Sequence, residues 1–334
     1  MPMAPESYLQ MVIPPGPSDP KADQRLECCP ACASVAVTFL MWGKSLYRNV
    51  WYGYSECKDC GLVFVNPRRS SQEDNAGIEN ETQSQRYFVS KAIFDLPEIR
   101  RHIIEPVVQV LPPLPSDGRR RRWLDVGCAV GNLLIEAERA GYEPHGLELN
   151  RPMVDWATVN RPGLNIRQGL IQDLGPRGPY DVVSVDNVLE HIHAPEPFLR
   201  EILKHMHEQS VLIVRVPNLN NFARPWLKLS RKLATSFILD PDAHPCNYSR
   251  RSLGALLDRC GLQTERVMEH LMVSYPLKHV FNGWTRDRGS PVRQFARGAL
   301  HFSFLFDWII PRGGIDITVI ARRTSGVTES GARR

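Results

Sequence analysis

The chain has 334 residues, 43% of them hydrophobic, and 41 Lys and Arg against 36 Asp and Glu give it a formal charge of +5. That size holds one full α/β domain plus a smaller module, and the composition excludes a chain too polar to bury a core. The mild positive balance does not mark a nucleic-acid binder, since its densest run, the four arginines at 119–122, has the composition of a solvated loop.

The first 25 residues carry six prolines and no basic stretch leading into a continuous apolar core. A disordered start without a secretory signal is expected, and with it a reducing, cytoplasmic setting. The longest apolar run near the C-terminus, "ALHFSFLFDWII" (299–310), contains Asp307 and is shorter than the ~20 residues that span a bilayer, so no transmembrane helix is expected.

Five of the eight cysteines lie within the first 60 residues. Cys29 and Cys32 in "CCPAC" and Cys57 and Cys60 in "CKDCG" form two C-x2-C pairs separated by 24 residues rich in β-branched and aromatic types. Two such knuckles complete a tetrahedral thiolate shell, the pattern of a zinc ribbon over 26–66. Cys28 is an alternative ligand to Cys29, and disulfides are the competing reading, disfavoured in a reducing compartment. A site of four cysteines has no open position, so its role is structural.

A polar linker follows, and a helical stretch at 85–111 is interrupted by Pro97 and Pro106; linker and helix together occupy 67–122. From Trp123 to Arg323 strand-like and helix-like stretches alternate. Strands are expected at "RWLDVG", "PHGLEL", "LNIRQG", "YDVVSVDNV", "SVLIVRVP", "LQTERVMEH" and "DITVIARR". Helices are expected at "NLLIEAERAG", "PMVDWATVN", "PEPFLREILKHM" and "SRRSLGALLDRCG". This alternation predicts a parallel sheet with helices on both faces and a ligand site at the carboxyl ends of its strands.

The turn after the first of these strands reads "DVGCAVGN". It fails the dinucleotide fingerprint at its later glycines, and Gly131 is followed by Asn132, not by the Lys-Ser/Thr of a phosphate loop. Its backbone can still approach a compact ligand, with Asp125 accepting hydrogen bonds from a cationic or hydroxylated one. Glu148, 23 positions on at the end of the next strand, suits the two hydroxyls of a ribose.

"LDVGCAVGNLL", "GLELN" and "YDVVSVDNVLEHIHAPEPFLREI" resemble, in that order, the motifs of class I S-adenosylmethionine-dependent methyltransferases over roughly residues 85–323. "CPAC" and "CKDCGLVFVNPR" resemble the zinc-ribbon segment of methyltransferases from sugar, glycan and natural-product pathways, and 240–262 resembles the family segment in which a histidine precedes an aromatic residue and a helix. The resemblance implies an α/β fold, a Rossmann-like seven-stranded methyltransferase sheet with a small N-terminal zinc ribbon. It implies a domain over 123–323 with insertions at 220–244 and 271–314, and a disordered tail over 324–334.

By the same resemblance Asp125 and the backbone of the turn, Gly127, Cys128, Ala129 and Gly131, would hold the amino-acid end of S-adenosylmethionine and Glu148 its ribose; Leu149 is a further cofactor-binding candidate, and Asp186 and Asn187 would lie near the sulfonium. Asp173 is either an acidic contact to the adenine amine or a helix cap. Glu190, His191 and His244 are the candidate catalytic residues on the acceptor side, against a packing role for the first two; His193 is expected to point elsewhere. The segment 271–314 reads as a cap over the acceptor, as packing helices, or as a surface for peripheral membrane contact or a lipid-linked acceptor.

The expected function is methyl transfer to a small-molecule, sugar or glycan acceptor. Two alternatives stand beside it: an RNA methyltransferase that uses the ribbon for recognition, weakened because residues 33–56 hold only Lys44 and Arg48 as basic residues, and a non-catalytic scaffold.

Overall fold

The computed structural model describes residues 24–44, 51–69, 96, 99–111, 118–175, 178–219, 227, 239, 243–270 and 316–324. Strands β4 (Arg122–Val126), β5 (Glu143–Glu148), β6 (Asn165–Gln168), β7 (Tyr180–Asp186), β8 (Met206–Pro217), β10 (Leu262–His270) and β11 (Asp316–Arg323) form a seven-stranded sheet in the order β10-β11-β8-β7-β4-β5-β6. The five strands from β6 to β8 pair in parallel. The sheet is mixed and not purely parallel, because β11 enters antiparallel between β8 and β10. An antiparallel neighbour requires no crossover connection.

Side chains alternate across the sheet with a period of two, and both faces are buried. Trp123, Val182, Val211, Ile213 and Ile320 pack with Leu133 and Ala137 of helix α2 (Asn132–Arg139) and with Ile103, Ile104 and Val107. The last of these belongs to α1 (Glu105–Val110), entered through a π turn at Arg100–Ile104 in which the Glu105 N–H donates to the Arg100 carbonyl. Pro106 therefore sits in the first turn of α1, where its missing N–H is tolerated, and does not interrupt the helix; Pro97 lies outside the described residues.

On the other face Leu124, Val126, Val183, Val185, Leu212 and Val214 meet α4 (Pro195–Leu203) and α5 (Arg250–Arg259). Helix α3 (Arg151–Asn160) follows β5, its first turn fixed by the Asn150 side chain accepting from the Met153 N–H at 3.0 Å.

The N-terminal strands β1 (Val37–Lys44), β2 (Trp51–Cys57) and β3 (Val63–Val65) form an antiparallel sheet whose fourth strand, β9 (Cys246–Asn247), comes from far along the chain. Val63 pairs with Asn247 and Phe64 with Cys246. Cys29, Leu62 and Phe64 belong to the same buried cluster as Tyr248, Leu253 and Leu256, so the small module shares the core of the large sheet. Its opposite face packs Tyr52, Tyr54 and Val65 against Leu219, Leu227 and Leu239. Among the described residues no helix is long and apolar enough to cross a membrane.

Candidate cofactor and acceptor site

The turn from β4 to α2 has left-handed backbone at Gly127 (φ 76°), Ala129 (φ 49°) and Gly131 (φ 83°). An alanine in this region costs about 1–2 kcal/mol relative to right-handed backbone, and here Ala129 is held by its N–H, which donates to Glu148 Oε2 at 2.8 Å. Gly127 and Cys128 both donate to the Leu147 carbonyl, at 2.7 and 3.1 Å, which ties the turn to the end of β5. A Cβ on Gly127 would come within 2.3 Å of Val188 Cγ2, so the turn also touches the segment that leaves β7.

Cys128 directs its sulfur into the core, close enough that a Cβ on Gly146 would lie 2.6 Å from it. Its carbonyl accepts from the Gly131 N–H at 2.8 Å, so both its backbone groups are engaged inside the protein.

Three carboxylates converge around this turn. Asp125 is buried at the end of β4 and accepts from Ser184 Oγ at 2.6 Å, while Trp123 Nε1 donates to the same hydroxyl at 2.8 Å. Burial pushes the Asp125 carboxyl well above the usual range, against the Ser184 hydrogen bond, and nearby Asp186 and Glu148 add to the push. Glu148 accepts from the Asn150 N–H at 2.7 Å through Oε1 and from Ala129 through Oε2, leaving lone pairs on both oxygens. Burial raises its pKa too, opposed by the N–H donors of Asn150, Ala129 and Leu149. Asp186 is gripped by Arg215 through both guanidinium arms, at 2.5 and 2.8 Å, and receives Asn187 Nδ2 at 3.1 Å.

Leu149 accepts from Gln168 Nε2 at 3.4 Å. Asp173 closes a 3-10 turn at Ile171–Asp173, its Oδ2 accepting from the Leu170 N–H at 3.0 Å, which is the capping role.

Beyond β7, the 3-10 turn Leu189–His191 brings Glu190 and His191 toward His244. One donor atom from each lies within 4.8 Å of the others, and the two imidazole rings meet edge-on at 4.9 Å between centroids. Nδ1 of His191 lies 2.5 Å from the Ala243 carbonyl, which only accepts, so Nδ1 carries the proton. Burial lowers the pKa of His191, against the hydrogen bond to the Ala243 carbonyl, and burial followed by the neighbouring His191 lowers that of His244 to about 3. His193 stands apart from the cluster, its carbonyl accepting from the buried guanidinium of Arg68.

The four cysteines of the ribbon also come together, with Sγ–Sγ separations of 3.6 Å for Cys29 and Cys60 and 3.5 Å for Cys32 and Cys57, too long for disulfide bonds. The two knuckles repeat one hydrogen-bond pattern. Cys29 N–H donates to the Ser34 carbonyl at 2.8 Å and Cys57 N–H to that of Leu62 at 2.9 Å, while Ala33 and Gly61 donate back to Cys29 and Cys57, each at 2.9 Å. Ala33 and Gly61 both take left-handed backbone, at φ 58° and 77°. Cys28 is exposed and outside the cluster.

Sequence reading missed Ser184, Arg215 and Arg68. A lone arginine within the apolar run "VLIVRVP" is a legible signal of a buried charge pair; Ser184 and Arg68 carry none, because only the folded chain gives them partners.

Residues 97–267 match the methyltransferase-domain family. The chain belongs to this family. The ubiquinone biosynthesis O-methyltransferase of Rickettsia prowazekii is 24% identical to this chain over 119 residues, covering 34% of this chain and 47% of the relative. The same protein from Rickettsia canadensis is 23% identical over 119 residues, with 34% and 50% covered. The chain thus spans about half the length of these curated relatives. Among solved structures, a chain from the Haloferax volcanii complex of the Trm112 methyltransferase activator aligns with a TM-score of 0.50 at 11% identity, over 74% of this chain and 100% of that one. Magnesium protoporphyrin IX methyltransferase from Synechocystis PCC 6803, with bound S-adenosylhomocysteine, aligns with a TM-score of 0.45 at 16% identity, over 76% and 95%. The likeness to the Haloferax volcanii chain is one of fold.

Proposed function

We propose that the protein transfers the methyl group of S-adenosylmethionine to a hydroxyl oxygen of a small-molecule, sugar or glycan acceptor. The observation that carries this reading is the contact between Gly127 and Val188, which joins the glycine turn to the Glu190–His191–His244 cluster beyond the carboxyl ends of the central strands β4 and β7. A nucleotide-sized ligand on the turn and a second molecule at the cluster would then be neighbours. The O-methyltransferase relatives support oxygen as acceptor, and the ribbon's resemblance supports a sugar or glycan.

The donor set fits the cofactor. Glu148 retains lone pairs for two ribose hydroxyls, the left-handed turn brings backbone close to a ligand, and buried Asp125 has the sign to face a cationic group. When bound, S-adenosylmethionine supplies an activated methyl electrophile. The protein's part is to align the acceptor oxygen with the methyl carbon and exclude water. The oxygen forms a bond to carbon, the carbon–sulfur pair stays on sulfur, and the acceptor's proton leaves. Glu190, His191 and His244 supply the polar surface that holds the acceptor and manages that proton. In the ribbon, the four thiols suit a structural zinc ion, which is bound by thiolates at about 2.3 Å.

The test is calorimetry with S-adenosylmethionine, followed by transfer of labelled methyl to fractionated acceptor pools. Label in base-stable, nuclease-resistant small molecules or glycans is the expected outcome. Nuclease-sensitive label would assign an RNA acceptor instead, and cofactor binding with no label in any pool would leave a scaffold. His191→Ala is expected to lower turnover at least tenfold while cofactor affinity stays within about twofold.

A further inference from the structure

We propose that Glu190, His191 and His244 form a divalent metal site at the acceptor side of the methyltransferase, separate from the ribbon's four cysteines. The three side chains present two imidazole nitrogens and one carboxylate oxygen within 4.8 Å of one another. Two imidazoles and a carboxylate are a donor set for first-row divalent cations, and three protein ligands leave coordination positions open for a substrate.

Three details of the geometry favour a cation over a packing role. Glu190 is 2% exposed and its Oε2 has no hydrogen-bond partner among the described residues, a costly arrangement for a buried carboxylate that a proton or a cation beside it relieves. His191 Nδ1–H is committed to the Ala243 carbonyl, which leaves the Nε2 lone pair turned to the cluster. Tying the distal nitrogen to a backbone carbonyl is how metal-bound histidines are oriented. Finally, Nε2 and Glu190 Oε1 stand 3.9 Å apart, too far for a hydrogen bond and wide enough for an atom between them. A cation at about 2.1 Å from each donor requires the ligands to draw in by roughly an ångström.

The inference deepens the proposed function and rests on it for its chemistry. Acceptor hydroxyls would occupy the open positions, and the cation held by the three residues would lower the hydroxyl pKa, so that the proton is lost to water as the acceptor binds, before water is excluded and the oxygen attacks the methyl carbon. Neither histidine then acts as the base, because both lone pairs lie on the metal.

Manganese(II) is the probe, since a thiolate site disfavours it. The full chain, dialysed against chelator until only tightly held metal remains, is titrated with Mn²⁺ and followed by electron paramagnetic resonance, with cofactor binding measured in parallel by calorimetry. One Mn²⁺ per chain is expected, weakened at least tenfold in Glu190→Gln, His191→Ala and His244→Ala, each of which still binds cofactor. No Mn²⁺ bound by the wild-type chain, or equal binding in the His191→Ala and His244→Ala variants, overturns the site. If a variant no longer binds cofactor, His244→Asn replaces it, and retained Mn²⁺ binding there likewise overturns the site. Mn²⁺ binding with no cofactor binding in the wild type would sink the methyltransferase reading and leave the metal site standing.

Discussion

Glu148 holds the glycine turn shut through the Ala129 N–H, and both its oxygens retain lone pairs beyond the contacts to Ala129 and Asn150; in the proposed function those lone pairs go to the ribose. Glu148→Gln keeps one acceptor oxygen and loses the charge; charge-assisted hydrogen bonds of about 1.5–3 kcal/mol make a fall in S-adenosylmethionine affinity of roughly 10- to 100-fold the expected result in calorimetry. Asp125 shows the opposite cost of burying a carboxyl. Its pKa is raised in the folded protein, so the folded state holds more protons than the unfolded state, and ligand-free stability falls as pH rises from the ordinary carboxylate range through the folded pKa. Asp125→Asn can still accept from Ser184 and removes that dependence. Thermal melts are expected to show the variant gaining on the wild type as the pH rises above about 4, the ordinary range of an Asp carboxyl, while binding the cofactor less tightly.

At the scale of elements, β9 and α5 link the ribbon to the Glu190–His191–His244 cluster. β9 pairs with β3, and two residues later Ser249 starts α5 with a reciprocal cap, its N–H bound to Ser252 Oγ at 2.8 Å and its own Oγ accepting from the Ser252 N–H at 3.4 Å. Ser249→Ala removes one half of that cap and is expected to cost about 1 kcal/mol in denaturant unfolding. Arg259, at the other end of α5, reaches both Glu196 on α4 and the Ala31 carbonyl inside the first knuckle. His244, two residues before β9, is therefore positioned by the ribbon as much as by the large sheet.

At the scale of the whole molecule, the knuckle cysteines and the central sheet share a buried cluster among the described residues. Calorimetry is expected to record a single unfolding transition, not separate melting of ribbon and sheet. Because metal bound to the folded knuckles contributes folding free energy, stripping it is expected to lower the Tm of the entire chain by about 5 °C or more. An unchanged melt after metal removal would show the cysteines to be thiols packed in a core.

Much of this was legible in the residues. Strand and helix positions follow from local periodicity, so β10 and β11 fall on the stretches expected from sequence, and the paired C-x2-C spacing specifies two knuckles through short-range turn geometry. The glycine turn was readable for the same reason, since left-handed backbone is a property of a few adjacent residues. The expected insertions 220–244 and 271–314 fall almost wholly outside the described residues. What only the tertiary structure decided is contact between distant segments: β9 joining the ribbon's sheet, the antiparallel entry of β11, Arg215 on Asp186, and His244 against Glu190 and His191. Local sequence fixes dihedral preference and which face is apolar, whereas a buried polar side chain acquires its partner only when the core closes around it.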